Sequence, residues 1–285
     1  MDIEKKLPVE ETAKPLPDVQ ATKINSITIN RVGVSQIEFP LKIEDPKGEL
    51  TTVACKINMY GSLLRTIQGT NMSRFMEVLS EFRDVPLSPK MINDFLTKLI
   101  KIVESKDIYA EIEFDYFMDQ TSPVKKLTAP LAYHVTWIGR LQHTFCHQTL
   151  KIVVPVTSLC PCSKKMSKYG AHNQRGYITS TIHFDYNKHI SIPELVNIIQ
   201  EHGSCKLYPI LKRDDEKWVT EYAYRHPKFV EDMVRGVALA LQERKEIKKF
   251  RVKVENHESI HQHNAVAYIF RKRKGNTWII DNGDD

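Results

Sequence analysis

The sequence predicts an α+β fold of two tandem ββααββ units, each burying one face of an antiparallel sheet under a helix pair. Three observations lead there. Two-residue hydrophobic alternation recurs in eight segments, helical periodicity recurs in four, and both halves of the 285-residue chain place them in the same order. No obvious sequence identity links the halves.

The first half opens with alternation at Ile37, Phe39, Leu41 and Ile43, then at Val53, Cys55, Ile57 and Met59. The period then changes to helical at Met72, Phe75, Met76, Leu79 and Phe82. A second helix follows from Ser88-Pro89, a cap and first-turn pair, with the stripe Ile92, Phe95, Leu96, Leu99, Ile100 and Val103. Alternation returns at Ile108, Ala110, Ile112, Phe114 and Tyr116, and again at Leu131, Tyr133, Val135 and Trp137.

The second half repeats the order. Strands run from about Phe145 to Val156 and from Tyr177 to Phe184. Pro193 opens a helix with Leu195, Ile198 and Ile199. A polar loop leads to another helix with Phe229, Met233, Val234, Val237, Ala238 and Leu241. Phe250, Val252 and Val254 form a strand, and Val266, Tyr268 and Phe270 the last. The expected boundaries are an N-terminal arm over 1–22, a first module over 23–143, a second over 144–274 and a C-terminal tail over 275–285.

Composition narrows the function classes. Hydrophobic residues make up 41% and charged residues 27%, an ordinary globular mixture. The formal charge of +6 suits an anionic small molecule or a solvated surface. The best candidate basic run, Arg271 to Lys274, is short and terminal, too short to read as a nucleic-acid arm, so no nucleic-acid partner is expected. No apolar stretch reaches membrane-spanning length, and the N-terminal MDIEKKLPVEETAKPLP lacks the apolar core of a secretory signal. Five cysteines are odd in number and unlike a disulfide framework, which points to a reducing, cytoplasmic setting.

Chemistry concentrates in Thr157-Ser-Leu-Cys-Pro-Cys-Ser-Lys164 and Tyr169-Gly-Ala-His-Asn-Gln-Arg175, between the first two strands of the second unit. Cys160 and Cys162 flank a proline, and His172 follows at a distance a loop can fold back across. Thiolate and imidazole are the usual zinc donors, but a zinc finger would need a second close pair. An incomplete ligand set with an open position suits a catalytic metal. A redox couple at Cys-Pro-Cys, or two buried cysteines beside a hydrogen-bonded histidine, are the competing readings. Two further polar segments stand out, Leu211 to Glu221 and Glu255 to Asn264, the latter with three histidines. Glu231 begins a helix and reads, by itself, equally as a solvated face.

Together these segments resemble the type IB GTP cyclohydrolase family. The pattern runs through Ser158-Leu-Cys-Pro-Cys-Ser-Lys164, Ala171-His-Asn-Gln-Arg175, Leu207-Tyr-Pro-Ile-Leu-Lys-Arg213, Asp215-Glu-Lys217, Phe229-Val-Glu-Asp232 and Glu258-Ser-Ile-His261. Leu16-Pro-Asp-Val-Gln20 and Asn71-Met-Ser-Arg-Phe75 add to it. Two positions depart: Asp214 stands where proline is common, and His257 where a larger apolar residue is common. The resemblance implies a bimodular tunnelling fold and a homotetramer with active sites at subunit interfaces. It also implies GTP as substrate, opened at C8 to give 7,8-dihydroneopterin triphosphate and formate.

By position, the resemblance makes Cys160, His172 and Glu216 the ligands of one divalent metal, with zinc favoured and manganese or ferrous iron admitted. Cys162 looks like a nearby thiol, His261 like the catalytic acid/base and Glu231 like the purine anchor. Arg74, Lys164, Arg175, Lys212 and Arg213 are the cations available for the triphosphate. A purine deaminase would show H-x-E with P-C-x-x-C, which is missing. A non-catalytic purine- or pterin-binding protein would not need the ligand-type residues and His261 together.

Overall fold

A computed structural model describes residues 27–66, 69–188 and 190–282. The expected arm over 1–22, and with it Leu16 to Gln20, lies outside them. The described chain forms β1 (Ile29–Glu44), β2 (Leu50–Leu63), α1 (Ser73–Glu81), α2 (Pro89–Ile102), β3 (Asp107–Thr121), β4 (Thr128–Gln142), β5 (Phe145–Leu159), α3 (Pro161–Met166), β6 (Asn173–Asp185), α4 (Ile192–Gln200), α5 (Arg213–Arg225), α6 (Val230–Gln242), β7 (Ile247–His257), β8 (Ala265–Lys274) and β9 (Thr277–Ile280).

Two ββααββ units are present, but their strands do not form separate sheets. All nine strands join one antiparallel sheet in sequence order. The units meet where β4 pairs with β5, Gln142 opposite Phe145 across the two-residue turn His143-Thr144. His143 sits at φ 56°, the left-handed backbone that tight hairpin turns require. The expected module boundary at 143/144 falls in this turn.

Alternation dictates the layers. Every even-numbered residue of β3 from Ile108 to Gln120 is buried, as is every even-numbered residue of β5 from Cys146 to Ser158. These faces carry the core, over which α2 lies against β3 and β4, α4 against β5, and α6 against β7 and β8. The α2–β4 approach is close: a Cβ on Gly139 would sit 2.6 Å from Ile92 and 2.7 Å from Leu96. Ser88 caps α2 by accepting the Met91 N–H at 3.1 Å, with Pro89 in its first turn, as the sequence predicts. Ser191 caps α4 in the same way.

Three elements were not expected: the short α3 within the Cys-Pro-Cys loop, α5 and β9. α5 occupies the segment read as a polar loop, because its apolar residues Trp218, Val219, Tyr222 and Ala223 cover only a small satellite core. β9 lies in the expected tail and pairs with β8, Lys274 opposite Thr277. Just beyond it, Asp281 is buried and paired with Lys249 at 3.0 Å and Lys272 at 3.6 Å.

Burial pushes the Asp281 carboxyl up, but Lys249, Lys272 and Arg251 outweigh it and hold it below its usual range. A depressed folded pKa gives stability that is present above the unfolded value, about 3.9, and is lost as pH falls through the folded one. Asp281→Asn should therefore cost roughly 1–3 kcal/mol at neutral pH, with the deficit narrowing below about pH 4. Thermal melts across that range check it; a deficit independent of pH would separate the loss from the carboxylate's charge.

Candidate functional site

The Cys-Pro-Cys segment leaves the end of β5 and turns into the short helix α3. Cys160 is its N-cap residue: its Sγ accepts the Ser163 N–H at 3.5 Å, and Pro161 takes the first helical position. The loop then folds back as expected. The Cys160 N–H donates to the His172 carbonyl at 3.1 Å, and the His172 N–H donates to Ser163 Oγ at 3.2 Å. These bonds tether the backbones of Cys160 and His172 to each other.

The His172 ring is oriented by its neighbours. Nδ1 lies 3.0 Å from Gln174 Oε1 and 3.9 Å from Glu258 Oε2. Gln174 Nε2 in turn donates to Ser158 Oγ and to Glu258 Oε1, both at 3.4 Å, which sets the amide so that its oxygen faces the ring. Nδ1 is then the protonated nitrogen, and Nε2 keeps the lone pair that a metal or proton would use. Asn256 completes the floor: it is buried, donates to Ser158 Oγ at 2.9 Å, and leaves its own Oδ1 buried without a hydrogen-bond partner among the described residues.

Cys160 and Glu231 line one cavity of about 220 Å³, with Ser158, Gln174, Lys228, Asn256 and Glu258 as its other polar walls and Pro161, Phe229, Val230 and Ala265 as apolar ones. Glu231 stands in the first turn of α6. The capping task there belongs to Asp232, whose Oδ2 accepts the Phe229 N–H at 3.0 Å, so Glu231 is free of it. Lys228 is anchored by its backbone N–H to the Leu159 carbonyl at 3.2 Å and by Nζ to the Glu201 carbonyl at 3.2 Å. Burial pulls its ammonium below the usual lysine range. Larger cavities of about 560 and 460 Å³ lie in the first module and contain none of the predicted site residues. Chemistry, not volume, selects the smaller one.

The remaining predicted residues are distributed unevenly. Glu216 is exposed in the first turn of α5, three and seven residues before Val219 and Ala223, which pack with Leu159 and Ala171. That spacing puts it on the side of α5 facing the Cys160–His172 segment. Among the described residues, however, no three His, Cys, Asp or Glu side chains are gathered closely enough to hold a metal ion. The three residues expected as ligands thus lie as a tethered pair and a separate carboxylate on α5, not as a gathered set. Their donor types still fit a divalent metal, since His172 presents a free Nε2 and Cys160 a half-buried sulfur.

Cys162 is exposed at the second position of α3. His261 is exposed three residues past Glu258, its ring stacked on His263 with centroids 5.0 Å apart, and it does not line the cavity. Lys164 is engaged at the C-terminal end of α5, Nζ donating to the Tyr224 carbonyl at 2.5 Å. Arg175, Lys212 and Arg213 are exposed. Arg74 stands apart in the first module, where it donates to the Ile102 carbonyl at 3.0 Å and pairs with Glu104 at 3.6 Å. None of the five cations lines the cavity within one chain.

Sequence reasoning assigned no role to Gln174, Lys228, Asn256 or Glu258. Gln174 and Glu258 were visible within the quoted motifs, but nothing in a single sequence tells an orienting amide from a loop residue.

The family model described as "Type I GTP cyclohydrolase folE2" matches residues 16–267. A protein named GTP cyclohydrolase FolE2 from Azoarcus sp. (strain BH72) is 41% identical over 264 residues, 92% of this chain and 97% of that protein. GTP cyclohydrolase FolE2 2 from Dechloromonas aromatica (strain RCB) is 43% identical over 263 residues, 91% and 95% of the two chains. Among solved structures, uricase from Arthrobacter globiformis superposes with a TM-score of 0.53 at 8% identity, over 89% of this chain and 96% of that one. At that identity the likeness concerns the fold alone, the tunnelling architecture of tandem modules.

Proposed function

The chain belongs to the type I GTP cyclohydrolase folE2 family, and from that premise we propose how its residues carry out the work of a GTP cyclohydrolase. The substrate is GTP. The guanine imidazole ring is hydrolysed at C8, giving 7,8-dihydroneopterin triphosphate and formate. The observation that supports this assignment of residues is the shared cavity, which Glu231 and Cys160 both line among polar and apolar walls.

Glu231 anchors the base. Guanine presents N1–H and its 2-amino group side by side, and one carboxylate accepts both. Cys160, His172 and Glu216 hold one divalent metal, with Gln174 and Glu258 fixing the tautomer of His172. When bound, the ion supplies a water whose pKa is lowered toward neutrality. Thiolate and imidazole favour zinc; the carboxylate hardens the set and admits manganese or ferrous iron. His261, on the loop that begins at the cavity wall, moves the proton to the imidazole nitrogen of the substrate as the ring opens.

A cavity of about 220 Å³ is smaller than the roughly 300–1,000 Å³ of a complete small-molecule site. It takes the base and leaves the triphosphate outside, to be met by exposed cations such as Arg175, Lys212 and Arg213. Arg74, held in the first module, would reach the triphosphate only from another subunit, in keeping with the homotetramer with interfacial active sites that the resemblance implies. Five free cysteines suit a reducing cytoplasm. Among the described residues no helix is long and apolar enough to cross a membrane. Incubation with GTP and a divalent metal should release formate and a fluorescent oxidised pterin. Turnover without formate would refute ring opening at C8.

Cys162 is expected to act beside the metal and not on it. Cys162→Ser should lower turnover about 10- to 100-fold while keeping most of the metal. Metal loss equal to that of Cys160→Ala, read by elemental analysis, would make it a ligand instead.

A further inference from the structure

The helix that carries Glu216 is held at its first turn by the other half of the chain. Asp215 precedes Glu216 on α5 and is fully buried, although the first turn around it is exposed. Its Oδ1 accepts the backbone N–H groups of Val124 at 2.8 Å and Lys125 at 2.9 Å. Its Oδ2 accepts the Lys212 N–H at 3.1 Å, which closes the first turn of the helix. Val124 and Lys125 belong to the turn joining β3 to β4, about ninety residues away in sequence. That turn is closed on itself, Ser122 N–H donating to the Leu127 carbonyl at 2.8 Å and Leu127 N–H to Ser122 Oγ at 3.1 Å. At the rim, Lys125 Nζ meets Asp214 Oδ2 at 2.6 Å.

One carboxylate thus serves as common acceptor for N–H groups from both modules. Charge-assisted bonds of this kind are stronger than neutral ones, and a buried carboxylate must keep them all or leave a charge unpaired. The Ser122 hydroxyl also hydrogen-bonds this carboxylate, so that it is surrounded by donors. A helix cap alone would need only the Lys212 bond; the two bonds from the hairpin add rigidity between modules. We propose that Asp215 is a positioning residue: through it the β3–β4 turn of the first module fixes the first turn of α5, and so the direction in which Lys212, Arg213 and Glu216 are presented. The catalytic consequence rests on the reading of Glu216 as a metal ligand; the mechanical coupling does not.

Asp215→Asn keeps the shape but sets an amide group against backbone donors. Amide exchange in peptides covering Val124–Lys125 and Arg213–Lys217 should then rise together by about tenfold or more, without loss of helix or sheet by circular dichroism. Metal affinity should fall about 10- to 100-fold, kcat should fall with it and recover in excess metal, and the KM for GTP should move less. Ser122→Ala, which removes the hydroxyl beside Asp215 together with the acceptor of the Leu127 N–H, should shift the same readouts by a smaller factor. Faster exchange in the turn but not in α5 would overturn the coupling. Coupled exchange in Asp215→Asn with metal affinity and kcat at parent values would overturn the positioning role. Glu216→Ala, measured beside it, tests the ligand reading separately: if it keeps its metal, that reading fails. Coupled exchange with a lowered kcat in Asp215→Asn would still uphold the positioning.

Discussion

Removing Cys160, His172 or Glu216 is expected to abolish turnover, by about a thousandfold or more, in a chain that still folds. The proposed metal would supply several kcal/mol of the barrier reduction, and each 1.4 kcal/mol is a factor of ten in rate. Folding should survive because none of the three belongs to the main core. Cys160 and His172 are half-buried in a loop and Glu216 is exposed, while the core lies under α1, α2, α4 and α6. Alanine at each position should therefore leave the thermal midpoint nearly unchanged while elemental analysis shows the metal gone. His172→Ala should also loosen Gln174 and Glu258, which rest against the imidazole. Full metal occupancy in any one variant would remove that residue from the ligand set.

How much of this was legible in the sequence depends on what kind of signal each element carries. The long strands announce themselves because one face is buried and the other is not, so residues such as Ile108, Ala110 and Ile112 keep strict alternation. Helices α2 and α4 carry both a stripe and a Ser-x-Pro or Ser-Pro start. α5 hides because it packs only a small cluster and its first turn is charged, so its hydrophobic stripe is short. The continuity of the sheet across β4 and β5 was also out of reach. Each half's pattern is satisfied equally by a separate sheet, and only the pairing of Gln142 with Phe145 decides.

The site divides in the same way. Cys160 and Glu231 could be named from motifs, but their common cavity depends on α6 arriving beside the end of β5, a long-range arrangement that no local pattern encodes. Gln174 and Asn256 gain their roles from cross-strand register, Gln174 lying opposite Ser158 and Asn256 opposite Gly176. At Gly176 a Cβ would come within 2.7 Å of Asn256 Oδ1, so the glycine is the condition for that side chain to cross over to Ser158. Arg74 shows the converse: its motif is plain in sequence, yet within one chain it is occupied at the end of α2.

Base recognition can be tested apart from metal chemistry through Glu231. Its carboxylate stands in the first turn of α6, where a negative charge is worth only about 0.3–1 kcal/mol to the helix. The cap bond is made by Asp232, so Glu231→Gln should barely change stability. Its effect on the substrate should be much larger. On the proposed reading the carboxylate would accept two hydrogen bonds from guanine, and a glutamine of the same size replaces one acceptor with a donor facing a donor. An unpaired buried group costs roughly 1–3 kcal/mol, and 1.4 kcal/mol is a tenfold change in Kd. GTP binding should thus weaken at least tenfold, with metal content normal, by calorimetry on the metal-loaded protein. Loss of metal in the same variant would mean that the cavity wall and the metal site are not separable. If Glu231→Gln binds GTP as tightly as the parent, the purine is anchored elsewhere, and Glu231 belongs to the solvated face of its helix.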